Sequence, residues 1–174
     1  MPKSANPPKA AKPAAKPAER HRLEGKKAPA FDLPDGSGQR TKLKDLTAHG
    51  AVVLYFYPKD MTPGCTTEAC SFRDNLGAVR KAGAQVVGVS PDSVSSHQKF
   101  TAKYDLNFPL LADPDNKVST AYGVYKMKSL YGREYMGIER TTVIIDRDGV
   151  VRKVFPKVKV NGHTEEVLAA LKEL

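Results

Sequence analysis

Hydrophobic positions fall along this chain in two rhythms, one typical of strands and one of helices. Residues 51–57, Ala-Val-Val-Leu-Tyr-Phe-Tyr, form the longest apolar run and show no polar face. A run of β-branched and aromatic residues without alternation belongs to a strand covered on both sides, so 51–57 is the predicted central strand. Beyond a turn at 58–61, Phe72, Leu76 and Val79 recur at helical spacing and Gly83 supplies a stop, which predicts a helix over about 63–81. The same signals predict a strand at 85–90, a helix at 93–104, a short strand at 108–111 and a helix at 116–122. Residues 142–146 and 150–155, joined by Arg147, Asp148 and Gly149, read as a hairpin with an Asp-Gly turn. A C-terminal helix follows, with Thr164 as its expected cap and Val167, Leu168 and Leu171 as its buried face.

This order predicts an α/β sandwich: a mixed central sheet flanked by helices, with the closing hairpin as its antiparallel part. A thioredoxin-like fold fits that order. The expected domain is residues 28–174, preceded by a disordered basic tail at 1–27. The tail holds five prolines, at 2, 7, 8, 13 and 17, and Leu23 is its only large aliphatic residue beyond the first Met, too little to bury. Eight of the chain's 28 Lys and Arg residues lie there against Glu19 and Glu24, so most of the net charge of +9 belongs to the tail. Its Lys-Ala-Pro stretch at 9–18 resembles the tails of linker histones, which suggests weak contact with nucleic-acid phosphates through counterion release. A solubilising extension or an export remnant without a partner is an equal alternative.

Composition narrows the class further. At 174 residues and 40% apolar content the chain suits one ordinary core with an appendage. The longest apolar run is far shorter than the roughly 18–20 residues of a membrane-spanning helix, so no membrane association is expected. The first 30 residues lack the apolar region of a secretory signal. A cytoplasmic protein is therefore expected, with the nucleoid or nucleus as the alternative if the tail binds nucleic acid. In such a compartment two cysteines rarely form a permanent brace. Neither a Cys-x-x-Cys pair nor paired histidines occur, and His21, His49, His97 and His163 are scattered, so no metal site is expected.

The chemistry concentrates where the central strand meets the following helix. Read as a helix start, Thr62 is the N-cap, Pro63 takes the first position, where a missing N–H does no harm, and Cys65 falls third. Its sulfur then lies beside unpaired N–H groups at the positive end of the helix dipole, which favours a reactive thiolate. On these local signals a small buried cysteine with no chemical role remains open. Cys70 narrows the choice. In an ideal helix, positions five apart have Cα atoms about 8.7 Å apart and rotated by about 140°. A disulfide needs less than about 7 Å. The pair can bond only if the first turns unwind, which suits a bond that forms and breaks.

The stretch Pro58-Lys59-Asp60-Met61-Thr62-Pro63-Gly64-Cys65-Thr66-Thr67-Glu68-Ala69-Cys70 resembles the signature of the peroxiredoxin Q group, also called bacterioferritin comigratory proteins. The resemblance extends through Ala28 to Phe31, Val87 to Ser90, Phe108 to Asp113 and Tyr131 to Thr142, and leaves the basic tail without a counterpart. It implies that Cys65 is the peroxidatic cysteine and Cys70 the resolving one, with Thr62 and Arg140 holding the peroxide. Attack on the O–O bond leaves negative charge on the departing oxygen, which a fixed guanidinium and a hydroxyl can stabilise. Without the motif, Arg140 would read as a solvated charge before a strand. Pro58 is expected to shape the loop and keep water from the sulfur, and Glu68 to orient an arginine or cap the turn.

The implied activity is reduction of hydrogen peroxide and alkyl hydroperoxides through a Cys65 sulfenic acid and a Cys65–Cys70 disulfide. Thioredoxin or a glutaredoxin-like dithiol would regenerate the thiols. No metal, haem or flavin is implied, and a monomer suffices. The alternatives are a thiol-disulfide redox sensor or oxidoreductase, against which the missing Cys-x-x-Cys argues, and a nucleic-acid-associated protein acting through its tail. Gly36-Ser37-Gly38 reads as a turn, and the tyrosines at 122, 125, 131 and 135 carry no assigned role.

Overall fold

The computed structural model describes residues 20–174. Most of the expected tail, residues 1–19, therefore lies outside the described residues. Its last part does not behave as a tail. Leu23 is buried, the Gly25 N–H donates to the Val151 carbonyl, and the Val151 N–H donates to the Lys26 carbonyl. One aliphatic anchor and free backbone groups beside a strand suffice to order residues 20–27, so the folded unit starts before residue 28.

Three elements precede the central strand. A small hairpin pairs β1 (Asp32–Pro34) with β2 (Arg40–Lys42), and α1 (Leu43–Thr47) leads on from it. The Gly36–Gly38 turn lies inside this hairpin, where the Asp35 carboxylate accepts from the Ser37 and Gln39 N–H groups. Then come β3 (Ala51–Phe56), α2 (Pro63–Lys81), β4 (Ala84–Ser90), α3 (Val94–Tyr104), β5 (Leu110–Ala112) and α4 (Lys117–Ala121). A second hairpin joins β6 (Tyr125–Leu130) to β7 (Arg133–Ile138). The chain closes with β8 (Thr141–Ile145), β9 (Val151–Phe155) and α5 (His163–Leu171).

The main sheet has five strands in the order β5-β4-β3-β8-β9. β3, β4 and β5 are parallel, and β8 and β9 are antiparallel to their neighbours, which is the mixed sheet the sequence predicts. β3 is buried along its whole length. Its period of two divides the core: Val53, Tyr55 and Tyr57 meet Phe72, Leu76 and Val79 of α2, Phe100 of α3 and Val167 of α5. Val52, Leu54 and Phe56 face Leu43, Val118, Tyr122 and Leu23 on the other side. A strand packed on both faces is fixed in register, and so is the loop that leaves it.

Several elements depart from expectation. The β6–β7 ribbon stands largely exposed, so burial leaves no apolar rhythm in its sequence; its turn, Tyr131 at φ 50° and Gly132 at φ 77°, is a two-residue type I′. Thr164 does not cap α5. Gly162 holds the cap position, while the buried Thr164 hydroxyl meets Ser71 Oγ of α2 at 2.5 Å. Asn116 lies in the left-handed region ahead of α4, whose first N–H groups are satisfied instead by the buried Asp113 carboxylate. Among the described residues, no helix is long and apolar enough to cross a membrane.

Candidate active site

The junction between β3 and α2 is built as the sequence predicts, with one change. Thr62 occupies the N-cap in extended conformation, Pro63 opens the helix and Cys65 is its third residue. The Thr62 hydroxyl does not cap the helix; it donates to the Lys59 carbonyl at 2.8 Å and tightens the preceding loop. Met61 takes a left-handed conformation at φ 66°, the turn that lets chain direction change between strand and helix.

Cys65 is 1% exposed and packs in the same apolar cluster as Tyr55 and Phe72. Against its sulfur stands Arg140, from the short link between β7 and β8, with Nη2 3.2 Å from Sγ. The other arm of the guanidinium, Nη1, donates to Glu68 Oε1 at 2.7 Å. Glu68 lies one turn beyond Cys65 on the same face of α2 and is also buried. The helix thus presents both the Cys65 thiol and the carboxylate that holds the Arg140 guanidinium against it. Gly64 makes room: a β-carbon there would stand 3.3 Å from Arg140 Nη2. The Val158 N–H donates to the Arg140 carbonyl and holds its backbone as well.

Burial pushes the Glu68 carboxyl up to about 7, against the opposing pull of Arg140. The cause is visible in its oxygens, since Oε1 is paired while Oε2 is buried without a partner. Burial opposes the charge on Arg140, but the negative partners Glu68 and Cys65 outweigh it and hold the guanidinium above its ordinary range. Tyr55 beneath the site is pushed well above the ordinary tyrosine range, mainly by burial and then by Glu68 and Cys65, so it stays neutral. Among the described residues, no group of three or more His, Cys, Asp or Glu side chains is placed to hold a metal.

Of the six residues singled out in the sequence, the structure brings Cys65, Arg140 and Glu68 into contact and places Thr62 at the same helix end. Cys70 sits further along the unbroken α2, half-buried, and both cysteines are free thiols. Pro58 begins the loop and lines a cleft of about 320 Å³ with Lys59, Tyr125 and Tyr135. Asp60 of this loop and His97 of α3, to which the sequence assigns no role, meet at 2.7 Å with almost no exposure. No local signal marks that pair.

The sequence profile described as the AhpC/TSA family matches residues 25–154. A putative peroxiredoxin bcp of Coxiella burnetii is 54% identical over 147 residues, covering 84% of this chain and 97% of that protein. Peroxiredoxin Bcp of Bacillus subtilis is 49% identical over 150 residues, covering 86% and 95%. Among solved structures, Xanthomonas campestris peroxiredoxin Q superposes with a TM-score of 0.78 at 46% identity, over 82% of this chain and 90% of that one. These relatives agree with the resemblance carried by residues 58–70 and with a thioredoxin-like fold. The chain belongs to the AhpC/TSA family, as a thiol-dependent peroxidase of the peroxiredoxin Bcp type.

Proposed function

We propose that the Cys65 thiolate attacks hydrogen peroxide or an alkyl hydroperoxide, with Thr62 and Arg140 holding the substrate. The S–O bond forms as the O–O bond breaks; the sulfur is oxidised to a sulfenic acid, and the departing oxygen takes up a proton and leaves as water or alcohol. The observation that carries this reading is the Arg140 guanidinium, anchored by Glu68 on one side and 3.2 Å from Sγ on the other. An arginine has five N–H donors, so it can bond the sulfur and still meet the oxygen on which charge develops. A solved relative from Xanthomonas campestris is described in terms of alkyl peroxide reduction, which supports alkyl hydroperoxides as substrates here.

The Cys70 thiol then attacks the sulfenic sulfur, expelling water and forming the disulfide. Because α2 runs without a break from Pro63 to Lys81, its first turns must open before the two sulfurs can meet. A thioredoxin or glutaredoxin-like dithiol restores both thiols through a mixed disulfide. Both sulfurs belong to one chain, which supports a monomer as the working form, and the demand for a thiol donor supports the cytoplasm. Pro58 shapes the loop beneath the substrate.

The test is peroxide consumption coupled to NADPH oxidation through thioredoxin and its reductase. Cys65→Ser should consume no peroxide, and Cys70→Ser should react once and then stall. Sustained turnover by Cys65→Ser would overturn the reading. A disulfide-exchanging sensor without peroxidase activity would instead show negligible peroxide turnover in the wild type.

A further inference from the structure

Asp60 lies in the loop between β3 and α2, two residues before Thr62, and takes no part in the steps above. Its carboxylate is filled with donors. Oδ1 accepts from the Tyr57 hydroxyl at 2.6 Å, and Oδ2 accepts from Ser96 Oγ at 2.8 Å. Oδ2 also lies 2.7 Å from His97 Nδ1, with side-chain exposures of 1% for Asp60 and 0% for His97. The second imidazole nitrogen fixes the proton count: Nε2 faces the Leu111 carbonyl at 3.0 Å, and a carbonyl only accepts. Nε2 therefore carries a hydrogen. Nδ1 and Oδ2 cannot face each other at 2.7 Å unless one more proton lies between them, whether it rests on nitrogen or oxygen.

We infer that Asp60 and His97 form a proton-sharing latch that positions the loop carrying Thr62 and keeps the first turns of α2 wound. The latch reaches from the loop to two parts of the rigid frame. His97 belongs to α3 and is itself pinned to β5 through Leu111. The Asp60 N–H adds a second tie, donating to Asp92 Oδ2 at 2.8 Å, and that oxygen is held by Ser90 Oγ at the end of β4. On the far side of Asp60, the left-handed Met61 and the Thr62 hydroxyl bonded to Lys59 leave the loop little freedom of its own. Since disulfide formation requires the start of α2 to open while peroxide attack requires it closed, one anchor acts on both steps with opposite sign. Asp60 and His97 are positioning residues and touch no reacting atom.

This inference rests on the reading of Cys65 as the peroxidatic cysteine. The experiment is a single turnover with one equivalent of hydrogen peroxide, quenched at intervals, with sulfenic acid trapped by a dione reagent and disulfide measured by intact mass. Asp60→Ala should form sulfenic acid about tenfold more slowly and convert it to disulfide about tenfold faster, the scale set by loss of a charge-assisted hydrogen bond. Asp60→Asn, whose amide can donate to a neutral Nδ1, should fall between Asp60→Ala and wild type. Leu43→Ala, in α1 beneath the opposite face of the sheet, supplies a comparable loss of thermal stability and should shift neither step. If Asp60→Ala does not fold, Asp60→Asn carries the test. Unchanged rates in a folded Asp60 variant, or both steps moving in the same direction, would sink the latch while leaving the peroxidatic role of Cys65 intact. Sulfenic acid formed by Cys65→Ser would instead strike at the reading beneath it.

Discussion

Glu68 ties stability to pH in a way that one substitution can isolate. Its carboxyl is held at about 7 in the folded protein, against an ordinary value of 4.5. Between those values the folded protein holds a proton that the unfolded chain has released. Stability therefore falls as pH rises from about 4.5 through 7; below that window the contribution is fully present, and above it the loss is complete. At 1.36 kcal/mol per pH unit, the separation amounts to about 3 kcal/mol, a sizeable fraction of the roughly 5–15 kcal/mol that holds a domain folded. Glu68→Gln removes the titrating group and keeps the shape, with the amide oxygen still able to accept from Arg140. The assay is urea unfolding of both proteins at closely spaced pH values with excess reductant, so that neither cysteine oxidises. Other titrating groups act alike in both proteins, so the difference between their unfolding free energies reports Glu68 alone. It should change by about 3 kcal/mol across the window, the wild type losing ground as pH rises. A difference that stays flat would show that Oε2 is not the desolvated atom its surroundings suggest.

Three further outcomes are expected. Hydrogen exchange across residues 62–75 should accelerate when Cys65 and Cys70 are oxidised; full protection retained in the disulfide form would remove the need for unwinding. Gly50→Ala should lower the urea midpoint by an amount corresponding to more than about 1 kcal/mol, because φ is 146° and a β-carbon would stand 2.6 Å from the Gly83 carbonyl oxygen, which is backbone and cannot step aside. An unchanged midpoint would mean that this corner rearranges freely. Removing residues 1–19 should abolish salt-sensitive retention on immobilised DNA and leave peroxide turnover as it was. Equal retention with and without the segment would assign it no nucleic-acid role.

What the sequence made legible was local. Residues 51–57 announce a doubly buried strand, and Phe72, Leu76 and Val79 announce the helix face that covers it; both stand as read because burial itself writes those patterns. The β6–β7 ribbon escaped for the converse reason. Its strands bury almost nothing, and its Tyr131-Gly132 turn lacks the Asn or Asp that marks most type I′ hairpins. Leu23 reads as part of the tail because a lone aliphatic residue carries no periodicity, yet backbone pairing with Val151 fixes the segment around it. Thr164 has the right residue type for a cap but lies two positions beyond it, as the second residue of the helix, where its hydroxyl serves α2 instead.

The same distinction divides the active site. The placement of Cys65 depends on Thr62 and Pro63 at its side, and Glu68 shares its helix face by spacing alone, so thirteen consecutive residues specify most of the surroundings of its thiol. Arg140 is 75 residues away and reaches the sulfur only because β8 pairs antiparallel to β3 with Thr141 opposite Phe56, which brings the end of the β7–β8 link level with the start of the loop to α2. Asp60 and His97 are 37 residues apart and depend on the crossover from β4 through α3 to β5. A chain that kept residues 58–70 but shifted α3 by one position would turn His97 about 100° around the helix axis and lose the bond to Asp60. Its cysteine would still sit at a helix start with an arginine against it, while the loop holding Thr62 would lose one of its ties to the frame and keep the bond from the Asp60 N–H to Asp92. Under the inferred latch, changes around α3 should therefore slow attack and hasten resolution together, while residues 58–70 and Arg140 stay as they are.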